Sequence, residues 1–171
     1  MPDPVGDLGS ADIADLLERE AKARMGGSGI QAAALQGQWS PHRLWGRGSK
    51  TESHGQVKLL QWLQASLSIT GTSGSETENL NVCNSVTLGP LSLRFKGPGW
   101  LQGQRPLLFF NFESLALELG GTTLLQRALP SPKPKRTPFF ALIAVEDDQW
   151  LLARGRGGGL AIWRATRGGI R

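Results

Sequence analysis

The sequence predicts a mainly β domain, an antiparallel barrel with a short N-terminal helix, and three observations predict it. Apolar residues recur with a period of two over most of residues 57–163, the spacing that puts alternate side chains on one face of a strand. Glycine (23) and proline (10) punctuate the chain at short intervals, which favours turns over long helices. The chain has 171 residues, enough for one domain with a core and too few for two ordinary ones. With no crossover helices between the strands, the pattern fits an antiparallel barrel or sandwich rather than an α/β fold, and the barrel is favoured.

Ser10 is the expected N-cap of the helix, in which Ile13, Leu16, Leu17 and Ala21 recur at helical spacing until Met25-Gly26-Gly27 ends the pattern. This helix is expected to lie as a lid on the domain, with residues 26–29 as a hinge. Residues 57–70 then read as a half-buried strand through Val57, Leu59, Leu63, Leu67 and Ile69. A helix competes over residues 57–63, because Leu60 and Trp62 spoil the alternation. Gly71-Thr72-Ser73-Gly74-Ser75 is then a loop. Leu80, Val82, Val86 and Leu88 face one way in the next strand, and Gly89-Pro90 turns the chain into Leu91, Leu93 and Phe95. Gly97-Pro98-Gly99 is read as another turn. Residues 107–112 are apolar on both faces, as in an inner strand, and the phase shift near Glu113-Ser114 marks a bulge or tight bend. Residues 130–138 hold four prolines and form an exposed loop. Residues 139–145, 149–154 and 160–164 complete the domain as three strands, turned by Asp147-Asp148 and by the glycines of residues 155–159. The expected division is residues 1–29 for helix and hinge, 30–165 for the barrel and 166–171 for a basic tail.

Charge is uneven. Six acidic residues against Arg19 alone occupy the first 20 positions, whereas from Arg127 onward nine basic residues face three acidic ones. The first pattern is the opposite of a targeting segment, and the second suits an anionic partner. No apolar run approaches the roughly 20 residues that cross a bilayer as a helix, so a soluble or peripheral protein is expected. One cysteine, Cys83, and two histidines, His42 and His54, give no expectation of a disulfide or a metal site.

Catalytic patterns are absent from the sequence. The serines lack a Gly-x-Ser-x-Gly elbow, and Cys83 lies in a strand with no histidine beside it. Glu113, Glu118, Glu146, Asp147 and Asp148 offer carboxylates, the last three read as turn residues, and their spacing fixes no pair across a cleft. The run from Arg154 to Gly159 precedes a strand instead of the helix that a phosphate-binding loop requires, so it reads as a hairpin turn. Arg156-Gly157-Gly158 and Arg167-Gly168-Gly169 look like RGG repeats, but without a base-stacking sheet motif nucleic-acid binding is disfavoured. Six tryptophans and six phenylalanines are core by default. Trp39, Trp45, Trp62, Trp100, Trp150 and Trp163 are nevertheless spread as residues of a barrel mouth or interfacial belt would be.

The stretch Leu151-Leu152-Ala153-Arg154-Gly155-Arg156-Gly157-Gly158-Gly159-Leu160-Ala161-Ile162-Trp163 resembles the C-terminal strand, Arg-Gly turn and strand of the plastid-lipid-associated proteins, also called fibrillins or plastoglobulins. Leu35-Gln36-Gly37-Gln38-Trp39 matches that family's Leu-x-Gly-x-Trp, and Asn81-Val82 falls where it has an Asn-Val strand. Ser40-Pro41-His42 interrupts the strand that follows the tryptophan in the family. The resemblance spans about residues 35–164 and implies a lipocalin-like β-barrel that binds lipids or isoprenoids at the periphery of thylakoids or plastoglobules, without enzyme activity.

The expected function is therefore non-enzymatic binding of an apolar small molecule (lipid, fatty acid or isoprenoid) in the barrel interior, with no cofactor. The candidate ligand residues are Trp39, Leu93, Phe95, Phe110, Phe112, Trp150, Leu152, Arg154 and Ile162. Lys133, Lys135 and Arg136 are the candidates for contact with an anionic membrane surface. A phycobilin lyase-like tetrapyrrole carrier and a basic nucleic-acid-binding barrel are the alternatives.

Overall fold

The computed structural model describes residues 7–72, 79–146 and 149–166. Its strands are β1 (Gly37–Trp45), β2 (Ser66–Gly71), β3 (Leu80–Leu88), β4 (Leu91–Gln102), β5 (Leu107–Phe110), β6 (Ser114–Leu119), β7 (Thr122–Ala128), β8 (Phe139–Glu146), β9 (Trp150–Gly155) and β10 (Leu160–Ala165). The helices are α1 (Ile13–Gly26), the single turn α2 (Ala32–Leu35) and α3 (His54–Trp62). Eight strands close an antiparallel barrel in the order β1-β2-β3-β4-β5-β8-β9-β10, with β10 pairing back onto β1. The expected mainly β barrel is what forms, with about 49% strand and 20% helix among the described residues.

The other two strands leave the barrel. The first half of β4 (Leu91 to Lys96) pairs with β6, and the second half (Gly99 to Gln102) pairs with β5. β7 adds to β6, so β3, β4, β6 and β7 extend one barrel wall as a single-layer wing.

Several sequence expectations are corrected. Residues 57–62 belong to α3 and not to a strand; Leu63 caps the helix, Gln64, at φ +46°, follows it, and the strand begins at Ser66. Asp12, not Ser10, caps α1, its carboxylate accepting the Asp15 N–H at 2.9 Å. Gly97-Pro98-Gly99 is not a turn but the middle of β4. Its glycines are required by close approach: a Cβ on Gly97 would lie 1.7 Å from the Asn111 carbonyl oxygen, and one on Gly99 would lie 2.7 Å from Val82 Cγ2. Pro98 falls in the two-residue gap where that edge of β4 changes partner. Ser40-Pro41-His42 does not break β1, because a register shift between Pro41 and Arg43 absorbs His42 as a bulge. The phase change after residue 112 is the bend at residues 111–113 that carries the chain from barrel to wing. The 155–159 hairpin turn forms as expected, with Gly158 at φ +92°. Gly71, expected to open a loop, instead ends β2, paired with Leu80; Ser73-Gly74-Ser75 of that loop, Asp147-Asp148 and residues 167–171, which include Arg167-Gly168-Gly169, lie outside the described residues.

Two cores share the barrel wall. The interior core holds Trp39, Ile69, Leu80, Leu108, Phe110, Leu142 and Leu151, with Ala32 and Leu35 of α2 packed into it. The second core lies outside the barrel, where Leu8, Ala11, Leu16 and Ala23 of the N-terminal segment cover Trp45, Ile143, Trp150, Leu152, Leu160 and Ile162. α1 is thus the expected lid, but the residues it buries are Leu16, Glu20 and Ala23, while Leu17 and Ala21 are exposed. Trp150 to Ala153 are all buried, because β9 is covered on both faces, which is why it reads as a continuous apolar run.

Candidate apolar-ligand site

The direction of β4 distinguishes the two barrel ends. At its C-terminal end, Gly29, Ile30 and Gln31 lie against Leu101 to Pro106 of the β4–β5 turn, leaving a groove of about 380 Å³ between them. Ile30, Ala32 and Leu35 pack into the interior there, and Trp39 Nε1 donates to the Leu35 carbonyl at 2.8 Å. At the opposite end, β4 runs out into the wing.

A chain of aromatic contacts connects that end to the interior. Trp163 meets Phe140 with ring centroids 6.1 Å apart, Phe140 stacks on Phe110 at 5.3 Å, Phe110 meets Phe112 at 5.2 Å, and Phe112 meets Phe95 at 5.7 Å. These separations are those of favourable aromatic pairs. The path runs from half-buried Trp163 through buried Phe110 to the base of the wing.

Beyond Phe95 the same face of the sheet stays apolar. Register aligns Val86, Leu93, Leu117 and Leu125 in one cross-strand row, and Leu88, Leu91 and Leu119 in the next. Alternation sends Ser85, Thr87, Ser92 and Arg94 to the other face, where Arg94 Nε lies 3.4 Å from Glu118. The wing is therefore an amphipathic sheet whose apolar side continues the barrel interior.

Of the candidates from sequence, Trp39 and Phe110 lie in the interior, Phe112 packs at its edge, and Leu93 and Phe95 lie on the wing. Trp150, Leu152 and Ile162 do not face the interior; they lie on the outer wall beneath the N-terminal segment. Arg154 is also held outside, by Glu20 and by the Gly158 carbonyl, which accepts from its Nη1 at 2.6 Å. Lys133, Lys135 and Arg136 are exposed in the 130–138 loop, around a single 3₁₀ turn. Arg156 pins that loop, donating to the carbonyls of Thr137, at 3.1 Å, and of Lys135.

Two features escaped the sequence reading. β7 was not anticipated, since all seven of its residues are exposed and carry no burial pattern. An aromatic row on the outer wall, Trp100–Phe109–Phe139, has centroids 5.8 and 5.4 Å apart and leads to the loop that Arg156 pins. The double-sided apolarity of residues 107–112 was its only trace.

The titratable groups have other partners. Cys83 lies on β3 opposite Lys96, and burial pushes its thiol up, away from the reactive thiolate. The ring of His42 is 4.8 Å from that of Trp150, and burial, with Arg164 and Arg43 nearby, holds its imidazole below the usual histidine range. Glu146 ends β8 instead of lying in a turn, accepts the Leu8 N–H at 2.9 Å and pairs with Arg19. Among the described residues, no three His, Cys, Asp or Glu side chains are grouped to hold a metal, and no helix is long and apolar enough to cross a membrane. No family model, curated protein or solved structure matches the chain.

Proposed function

We propose that the protein is a non-enzymatic carrier or structural protein that holds an apolar small molecule, a lipid, fatty acid or isoprenoid, between the aromatic residues of its barrel and wing. The observation that carries the reading is the unbroken contact path Trp163–Phe140–Phe110–Phe112–Phe95. It gives an elongated apolar molecule a continuous surface from the core to the outside. An eight-stranded barrel is of the size that holds side chains plus one small ligand, and aromatic walls suit such ligands. The Leu35-x-Gly37-x-Trp39 and Arg154-Gly155 motifs, alike in the fibrillin family, support membership in it and a place at the thylakoid or plastoglobule periphery. The basic loop of Lys133, Lys135 and Arg136 suits contact with an anionic surface there.

The test is titration of the purified chain with a fluorescent polyene fatty acid, read by energy transfer from the tryptophans. Saturable binding is expected, and Phe112→Ala weakens it by about 10-fold or more, the equivalent of one lost aromatic burial of roughly 1.5–3 kcal/mol. No saturation by fatty acid, sterol or isoprenoid probes discards the reading. A visible absorbance band on mixing with a bilin favours the tetrapyrrole-carrier alternative instead.

A further inference from the structure

We propose that the apolar face of the wing is the surface by which this protein docks on an anionic lipid bilayer. The proposal deepens the apolar-ligand reading and rests on it, since docking there sets the aromatic path against the lipid that supplies or receives the ligand.

The geometry argues it in three steps. First, the wing is one sheet thick, and an amphipathic sheet is stable when a second layer covers its apolar side. Leu88, Leu91, Leu119 and Leu125 on that side remain 47%, 39%, 45% and 53% exposed. Scattered exposed leucines are ordinary, but adjacent ones aligned by register form a patch.

Second, charge selects the occupant. None of the positions that register places on this face of the wing is acidic, whereas Arg127 closes the Phe95–Leu115 row. The chain then runs from β7 directly into Lys133, Lys135 and Arg136. An apolar centre with a cationic border complements acyl chains below anionic headgroups. A second copy laid on the same face would bring no carboxylate to Arg127.

Third, the edge fixes the pose. Among the described residues β7 pairs only with β6, so the backbone groups along its outer edge need water or headgroups. The wing therefore lies flat in the interface, with Leu125 down and the β7 edge at headgroup level, and does not plunge into the hydrocarbon. The opposite face, with the Arg94–Glu118 pair, stays in water.

Flotation of the full chain with phosphatidylcholine vesicles, with and without phosphatidylglycerol, tests this. The parent floats with the anionic vesicles. The combined variant Leu91→Ser, Leu119→Ser and Leu125→Ser loses at least 10-fold in vesicle affinity, while Leu59→Ser with Trp62→Ser, on the exposed side of α3, changes it less than two-fold. Arg127→Glu weakens binding on the anionic vesicles alone. Hydrogen exchange of the parent, which needs no variant, slows in residues 114–128 when vesicles are added. Fatty-acid titration of the parent in vesicle-free buffer is read separately from flotation, so failure of docking and failure of ligand binding are told apart. Failure of the parent to float, flotation of the triple variant equal to the parent's, or unaltered exchange in residues 114–128 overturns the proposal. So does a parent that sediments as a dimer which the triple variant converts to monomer, because a second copy then covers the face.

Discussion

Glu20 and Arg154, 134 positions apart in sequence, meet with both ends of the carboxylate engaged: Oε1 accepts from Nε and Oε2 from Nη2, each at 2.6 Å. The same Oε1 also receives Arg24 at 3.1 Å and Arg105 at 3.3 Å. Through this contact α1, held also by Leu16, Ala23 and the Arg19–Glu146 pair, grips the β9–β10 hairpin. The hydrogen bonds from Arg154 hold the Glu20 carboxyl below its ordinary range, and Glu20 in turn raises the guanidinium.

Arg154→Ala is therefore expected to destabilise the empty protein by about 1–3 kcal/mol, because the carboxylate of Glu20, only 5% exposed, loses its main partner and keeps only the longer contacts of Arg24 and Arg105. Arg154→Lys recovers little, since an ammonium cannot reproduce the two-pronged contact. Fatty-acid affinity is spared in the folded fraction, because Arg154 lies outside the barrel. Urea unfolding measures the first effect, and unchanged stability in Arg154→Ala refutes the anchor.

Acid should weaken the fold in two stages. His42 has a folded pKa below its unfolded value, so its contribution is complete above about pH 6.5 and declines as pH falls below that. Glu20 behaves likewise from its ordinary value of 4.5 downward, as protonation removes the acceptor for Arg154. Melting temperature followed from neutral to acidic pH is expected to show both declines. His42→Gln flattens the first and Glu20→Gln the second, and a single decline unaffected by either change contradicts the assignment.

The legible parts of this fold are those where burial writes a pattern. β8, β9 and β10 were found because their apolar runs end at turns, and the glycines of residues 155–159 gave the hairpin its place. α3 was mistaken for strand because Val57, Leu59 and Leu63 fit both a period of two and a loose helical spacing. Only Val57 is buried in that helix, so there was little stripe to read. β7 left no pattern because neither of its faces is covered. At the site, alternation separated the two faces of β9 and β10 but could not say which was inside when α1 covers the other. Trp39 and Phe110 thus face the interior, whereas Trp150, Leu152 and Ile162 lie on the outer wall beneath the N-terminal segment.

Reversing the charge of Lys133, Lys135 and Arg136 together is expected to weaken binding to anionic vesicles at low salt, at about 1 kcal/mol for each residue near the surface. Added salt erases the difference as the screening length shrinks. Stability stays near that of the parent, because the three side chains are exposed and Arg156 holds the loop through backbone carbonyls. Equal sedimentation of mutant and parent at low salt argues that the loop does not meet the surface.

Gly97→Ala distinguishes a strand crossing from a turn. As a turn residue Gly97 would accept alanine at little cost, but it lies in β4 where residues 111–113 cross from barrel to wing. The Asn111 N–H donates to the Pro98 carbonyl at 3.0 Å and the Glu113 N–H to the Lys96 carbonyl at 2.8 Å, one on each side of Gly97. The added methyl, placed 1.7 Å from the Asn111 oxygen and 2.7 Å from its carbonyl carbon, meets backbone that no rotamer change can move. Relief requires the two segments to part, which sacrifices both hydrogen bonds at about 0.5–1.5 kcal/mol each and loosens the adjoining aromatic contacts. A total near 3 kcal/mol is expected, lowering the melting temperature by about 6–12 °C for a domain of this size. Gly120→Ala is the control. Gly120 sits at φ +56° with no atom within 4 Å of a built Cβ, so alanine there costs only the left-handed backbone penalty of about 1–2 kcal/mol. Equal melting of the two variants would show that the crossing at Gly97 is looser than its geometry requires.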